Sequence, residues 1–174
     1  MITPGPGQDG LFDVPTADDG LGYRGPIASA AAGISYRQLD YWARTHLVEP
    51  SLRTARGSGT TRLYSFRDIL TLNVVKRLLD TGVSLANIRT ALTTLRAFGT
   101  GDLAGITLVA DPVGVYACTT DEQVIDLVKG GQAVFGIALG QVFTDLTATL
   151  HRLPAETPTP VGNPTGRPAL RVVS

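Results

Sequence analysis

The chain has 174 residues, with 15 Lys or Arg against 15 Asp or Glu, two histidines and one cysteine. So few thiols and imidazoles exclude an internal disulfide framework and a multi-ligand metal site, and no apolar run is long enough to span a membrane. Because the chain opens without a basic-then-apolar leader, we expect a cytoplasmic protein.

Charge is unevenly distributed along this neutral chain. Residues 23–98 hold eleven Lys or Arg and four Asp or Glu, a net charge of +7, whereas residues 1–22 carry −4 and residues 99–150 carry −5. Localised positive charge attracts polyanions, because neutralising phosphates releases condensed counterions. The sequence therefore predicts a basic module that binds duplex DNA, followed by an acidic one.

Both ends of the chain are rich in proline or glycine and poor in large apolar residues. Such segments bury too little apolar surface to offset the entropy lost on ordering. We therefore expect an unstructured arm over residues 1–22 and an unstructured, solvated tail over residues 153–174.

A helix-turn-helix opens the basic module. Pro26 suits the first turn of a helix that reaches Ala32, and Gly33 provides the tight turn after it. Ser35 is a good N-cap for a second helix, which we expect to run to about Arg44. An apolar seam on one face of this second helix leaves its other face free to contact a ligand.

The free face of the second helix carries Arg, Gln and Tyr side chains. In the major groove of DNA, Arg and Gln can bond base edges, while Tyr hydroxyls and Arg hold phosphates. A solvated polar face is the alternative for any short helix, and the surrounding charge of +7 favours the DNA-binding interpretation.

Residues 51–64 are predicted to form a β-hairpin, here called the wing. Its arms are Leu52–Arg53 and Arg62–Tyr64, and its turn is Gly57–Gly59. Basic side chains on the wing would grip the DNA backbone; a flexible basic loop without a target is the alternative. The predicted DNA-binding residues are Ser35, Tyr36, Arg37, Gln38, Tyr41, Arg44, Arg53, Arg56, Arg62 and Tyr64.

Two capped amphipathic helices complete the module. Ser65, with Asp68 at the capping-box position, begins a helix that ends at Gly82, and Ser84 begins the next one. Their apolar stripes are predicted to be core or dimer seam. The fold expected for residues 23–98 is a winged helix-turn-helix with four helices and a hairpin wing.

This module resembles the N-terminal DNA-binding domain of MerR-family transcription regulators over about Pro26 to Leu95. No insertion interrupts the family's spacing through the second helix, and the run from Tyr36 to Thr45 is similar to a variant found in actinobacterial members. The features that carry the resemblance are Gly33-Ile34, Tyr41-Trp42, Leu47-Val48, Pro50, Arg62, Tyr64, Asp68, Leu72, Gly82-Val83-Ser84-Leu85 and Ile88.

Two positions depart from the family's pattern. Asp40 stands where the family usually has Arg, so we expect it to accept from a cytosine amine or to orient an arginine, with Arg37 or Arg44 taking over the phosphate contact. His46 replaces the usual Gly after the helix, and we expect it to end the helix in the left-handed conformation rather than to act as a proton switch.

The resemblance implies a homodimer on an inverted repeat within a promoter, located on the nucleoid in the cytoplasm. Family members distort promoter DNA so that its elements realign for RNA polymerase, at a bending energy on the order of 1–6 kcal/mol. A small-molecule effector is left open, and no metal or other cofactor is expected.

The acidic region, residues 99–152, is predicted to be a small α/β domain, which makes the whole chain α+β. The expected elements, in ββαβα order, are strands 106–110 and 113–118, a helix from Thr119 or Thr120 to Gly130, a buried strand 133–139 and a helix over 142–150. This order resembles the C-terminal region of the same actinobacterial relatives, and dimerisation, ligand sensing or polymerase contact would suit it.

The favoured function is that of a dimeric, sequence-specific DNA-binding transcription regulator. The alternative is an adaptor that binds a sigma factor or an RNA polymerase subunit. An enzyme is disfavoured, because the sequence has no catalytic or phosphate-cradling constellation of residues.

Overall fold

The computed structural model describes residues 20–53, 61–131 and 135–158 of the chain. Over these ranges the chain is an α+β protein with six α-helices and two small antiparallel sheets, which confirms the predicted class. None of the described helices has the length and apolar character needed to cross a membrane.

Four helices form the N-terminal unit, residues 23–98, in the predicted order. They are α1 Gly25–Ala32, α2 Tyr36–Arg44, α3 Phe66–Asp80 and α4 Leu85–Arg96. Gly33 makes the turn between α1 and α2 with a φ of 72°, a conformation that glycine adopts without strain. Capping boxes at Ser35 and Ser65 begin α2 and α3, and they fix where each helix starts.

Antiparallel pairing joins the described residues of the predicted wing to the strand that precedes α1. Strand β1, Tyr23–Arg24, pairs with strand β2, Leu63–Tyr64. Arg53 pairs with Leu63 from the other side, through main-chain hydrogen bonds of 3.2 and 2.9 Å. The two predicted arms are therefore antiparallel neighbours, and the predicted turn at Gly57–Gly59 lies outside the described residues.

The C-terminal unit, residues 99–152, has the predicted ββαβα order. Its elements are β3 Thr107–Ala110, β4 Val115–Cys118, α5 Asp121–Lys129, β5 Phe135–Ala138 and α6 Leu139–Leu150. The strands form one antiparallel sheet in the order β4-β3-β5, and Thr120 is the N-cap of α5. Cys118 is buried, as expected of a structural thiol, and burial raises its pKa.

Strand β5 differs from the buried strand predicted at this point. Ile137 is 3% exposed, but its neighbours Gly136 and Ala138 are both exposed. The reason is that β5 forms an edge of the sheet and has only one face on the core, so successive residues point to different surroundings. The apolar residues that follow belong to α6, which begins at Leu139 rather than at residue 142.

One hydrophobic core joins the two units. Its buried residues run from Tyr23 in β1 to Leu150 in α6, and α6 packs against both α1 and α3. The rings of Phe66 in α3 and Phe143 in α6 lie with centroids 4.8 Å apart at an interplanar angle of 58°, a favourable tilted arrangement. The DNA-binding candidate helix α2 is therefore held by a core to which the C-terminal unit contributes.

The predicted tail begins at residue 153, and its residues 153–158 lie within the described part of the chain. Among them, Glu156 pairs with Gly22 in an antiparallel bridge. A Cβ at Gly22 would lie only 2.3 Å from the side chain of Leu63, which is fully buried. A glycine is therefore required where the two ends of the described chain meet.

Candidate nucleic-acid interface

Helix α2 presents the predicted polar face to solvent. Its inward positions, Leu39 and Trp42, are 1% and 4% exposed, whereas Tyr36 and Tyr41 are 57% and 53% exposed. The predicted DNA-binding residues that lie exposed on or beside α2 are Ser35, Tyr36, Arg37, Gln38, Tyr41 and Arg44. Two large aromatic side chains left in solvent beside cations are typical of a surface that contacts another molecule.

Gln38 has a structural bond that the sequence analysis did not foresee. Its Oε1 accepts from the main-chain N–H of Ser35 at 2.9 Å, while Ser35 Oγ accepts from the Gln38 N–H at 3.1 Å. A bidentate contact with adenine needs both the oxygen and the nitrogen of the amide. While this capping box is closed, one lone pair of Oε1 is used internally and the direction of the amide is fixed, which restricts a bidentate contact.

Asp40 links α2 to the wing. Its Oδ2 accepts from Arg44 Nε at 2.8 Å, one helical turn along, and its Oδ1 accepts from Arg62 Nη1 at 2.7 Å. The hydrogen bond from Arg62 is the main cause that lowers the pKa of Asp40 below its usual value. Of the two roles predicted for Asp40, the geometry matches the orienting of neighbouring arginines, because both of its oxygens are occupied by guanidinium groups.

Arg37 differs from the two arginines that Asp40 holds. It is exposed and has no hydrogen bond or ion pair with any described residue. Its guanidinium can therefore approach a phosphate or a base edge without first breaking an internal contact.

The wing contributes cations with different surroundings. Arg53 is half-buried, and its Nε donates to the Thr61 main-chain carbonyl at 2.9 Å, across the two arms. Arg62 is half-buried beside Asp40. Arg56, also predicted to contact DNA, lies outside the described residues.

Tyr64 is a correction to the predicted interface. The residue is fully buried within the core, so it cannot reach DNA. Burial raises the pKa of its hydroxyl to about 12, and that hydroxyl has no hydrogen-bond partner among the described residues. Strand β2 is only two residues long, which is too short for alternation to indicate which face Tyr64 occupies.

The connection between α2 and the wing is fixed at both ends. His46 follows α2 with a φ of 56°, which confirms its predicted left-handed, helix-ending conformation, and its Nδ1 lies 2.9 Å from Glu49 Oε1. At the other end, Asp68 Oδ2 accepts from the N–H of Ser51 at 2.7 Å and from its hydroxyl at 2.8 Å. The contact between Ser51 and Asp68 was missed by sequence reasoning, which recognised only the capping role of Asp68.

Comparisons with known proteins agree with this geometry. The MerR HTH regulatory protein family matches residues 23–95, which include α1 to α3, the wing and all of α4 except its last residue. The chain is also 59% identical over 147 residues to uncharacterized HTH-type transcriptional regulators of Mycobacterium tuberculosis and Mycobacterium bovis. That similarity covers 84% of this chain but only 65% of each relative, so the chain spans about two thirds of their length.

A more distant similarity covers a smaller share of the chain. A heavy metal-dependent transcription regulator of Rhizobium meliloti is 34% identical over 68 residues, which is 39% of this chain and 44% of that protein. The resemblance inferred from the sequence is confirmed for the N-terminal unit, where residues 23–95 match the MerR HTH regulatory protein family.

Proposed function

We propose that this protein is a sequence-specific DNA-binding transcription regulator. The observation that carries the proposal is the exposed face of α2, where Arg37, Gln38 and Tyr41 stand free of the core beside a wing to which α2 is tied by Asp40. These residues belong to a unit whose net charge is +7. The names of the mycobacterial relatives, HTH-type transcriptional regulators, support the same function.

In the proposed complex, α2 enters the major groove and the wing follows the adjacent backbone. Arg37 is the main candidate for a base or phosphate contact, because it has no internal partner among the described residues. Arg44, Arg53 and Arg62 hold phosphates through the parts of their guanidinium groups that internal bonds leave free. Tyr36 and Tyr41 place their hydroxyls at the rim of the groove.

The regulator is proposed to act as a homodimer on an inverted repeat and to distort promoter DNA for RNA polymerase. A surface suited to self-association exists on the C-terminal unit, where no residue of α5 is buried. Ile125 and Val128, three residues apart on that helix, are 47% and 58% exposed, and Tyr116 on β4 is 38% exposed. A second copy of the chain would remove this apolar surface from water.

The adaptor alternative uses the same surface of α5 for a different partner. Asp121, Glu122 and Asp126 surround its apolar residues and would suit a basic surface on a sigma factor or a polymerase subunit. DNA binding that is absent at low salt, together with capture of purified polymerase, would favour this alternative.

An effector site is proposed at the junction of the two units rather than within residues 99–152. A cavity of about 360 Å³ lies there, lined by Arg67 and Arg96 of α3 and α4 and by Leu103 and Leu139 of the C-terminal unit. This volume falls in the range of small-molecule sites. Because Ser51 also lines the cavity, an occupant would contact the segment that leads into the wing.

The test is a salt titration of DNA binding with matched variants. The wild-type chain should bind DNA from its own promoters with an affinity that falls steeply as salt rises, and Arg37→Ala should weaken binding and reduce the salt slope by about 1. Arg77→Ala removes the same charge near the far end of α3 and should leave the affinity within about twofold. Equal losses in both variants would indicate attraction by net charge alone, without a specific interface.

A further inference from the structure

The end of the described chain carries an acidic group to the inner part of the wing. Gly22 N donates to Glu156 O at 2.6 Å, and Glu156 N donates to Gly22 O at 2.7 Å. The Glu156 carboxylate forms an ion pair with Arg24 through Oε1, and its Oε2 lies 3.7 Å from Arg53 Nη2. We call these three charged residues, Arg24, Arg53 and Glu156, the wing-base triad.

Strand pairing explains why the triad assembles. Leu63 pairs with Arg24 on one side and with Arg53 on the other, so the two arginines flank the same position of the wing. Glu156 lies opposite Gly22, two residues before Arg24, and residues two apart along a strand point to the same side. The close approach of Gly22 to Leu63 holds this register, because any side chain at position 22 would clash.

The carboxylate of Glu156 resembles a DNA phosphate in what it offers the two arginines. Both anions accept short, charge-assisted hydrogen bonds from guanidinium groups. The triad is open to solvent, with side-chain exposures of 55% for Arg24, 38% for Arg53 and 37% for Glu156, so a phosphate can reach it. Among the described acids, Glu156 is the one that pairs with either arginine.

We propose that residues 153–158 are an internal competitor of DNA. In the free protein Glu156 occupies Arg24 and Arg53, and in the bound protein phosphates replace its carboxylate. The contact therefore lowers the affinity for all DNA, so that stable binding depends more strongly on favourable contacts made by α2. This inference rests on the proposed DNA-binding function.

The test compares Glu156→Gln with Asp145→Asn in the full chain. Both variants remove one negative charge, but Asp145 lies exposed on α6, outside every proposed interface, and has no ion pair with a described residue. Glu156→Gln should raise the affinity for promoter DNA at low salt about threefold to fivefold, the size of an exposed ion pair. It should also make the salt dependence of binding steeper by about one released counterion, whereas Asp145→Asn should change neither quantity. Unchanged or weaker DNA binding by Glu156→Gln would overturn the proposal.

A second measurement is independent of DNA affinity. Amide hydrogen exchange at Gly22 and Glu156 reports whether the two segments are paired. Without DNA, Glu156→Gln should speed exchange at both amides, and saturating promoter DNA should do the same in the wild type. If bound DNA left the exchange rates of the Gly22 and Glu156 amides unchanged, the proposed competition between DNA and residues 153–158 would be contradicted. If the wild type binds no DNA at all, the proposed function fails, while exchange in the variant still tests the docking of residues 153–158.

Discussion

At the scale of single residues, Asp40 sets the mutual position of α2 and the wing. One carboxylate oxygen faces Arg44 on its own helix and the other faces Arg62 on the arm before β2. In the proposed complex, such a bridge would hold α2 and the wing in place before DNA binds, which would reduce the side-chain ordering that binding requires. The resemblance leads us to expect an arginine at this position, whereas here an acid bonds two other arginines.

Asp40→Asn should lower stability at neutral pH and lose that effect in acid. The folded pKa of Asp40 lies below its ordinary value of 3.8, so its ion pairs contribute fully above that value and are lost as pH falls through the lowered pKa. Thermal unfolding midpoints of wild type and variant should differ by a constant amount well above the ordinary pKa of an aspartate, and the difference should shrink as the pH falls through the lowered pKa of Asp40. Asp145→Asn on α6, which removes an exposed acid that has no ion pair with a described residue, is the control for the loss of one negative charge. A pH-independent gap for Asp40→Asn would argue against a role of its charge.

At the scale of elements, the first turn of α2 combines structural and functional tasks. Ser35 and Gln38 close the capping box, and Arg37 projects from the same turn into solvent. The direction of Arg37 therefore depends on a cap made by its immediate neighbours. Helix α4 offers a comparison, since it begins at a similar serine cap, Ser84, outside the proposed interface.

Ser35→Ala should lower the free energy of unfolding by about 1 kcal/mol, because an orphan N–H loses its acceptor. It should also weaken DNA binding, since fraying of the first turn disorders Arg37. Ser84→Ala at the start of α4 should cost a similar free energy of unfolding and leave DNA affinity unchanged. Urea denaturation measures the stability of both variants, and DNA titration measures their affinity for DNA. Equal DNA affinities of Ser35→Ala and Ser84→Ala would show that the cap of α2 has no part in recognition.

At the scale of the whole molecule, the C-terminal unit completes the core that supports α2. Leu146 and Leu150 of α6 belong to the same buried cluster as Trp42 of α2, although more than a hundred residues separate them. The two units predicted from the sequence therefore share one interior. A ligand or a second copy bound to the C-terminal unit could influence α2 through this packing.

Leu146→Ala should lower the free energy of unfolding by about 2–5 kcal/mol, as expected for a buried leucine. The loss should be the same for the N-terminal unit as for the whole chain. Trp42 is the single tryptophan and is buried in α2, so its fluorescence reports on the N-terminal unit. Urea transitions followed by Trp42 fluorescence and by circular dichroism should shift together. Thr144→Ala, exposed on the same helix, should move the free energy of unfolding by less than about 0.5 kcal/mol. If the urea transition of Trp42 fluorescence did not shift in Leu146→Ala, the two units would unfold independently.

The sequence by itself determined the elements of the fold and the exposed face of α2. Helix ends follow from residues within four positions of one another, as at Gly33 and Ser35, and amphipathic spacing shows which face is buried. These are local interactions, so the order of helices and strands could be predicted without knowing how they pack. The family resemblance depended on the same local pattern.

Only the tertiary structure decided the roles of residues whose partners are distant in the chain. Asp40 meets Arg62 across 22 positions, and Glu156 meets Arg24 across 132. Tyr64 was predicted on the interface and lies in the core, because the orientation of a two-residue strand is set by packing. Spacing along the chain carries no information about such contacts; they exist because one shared core brings the wing, α2 and the end of the described chain together.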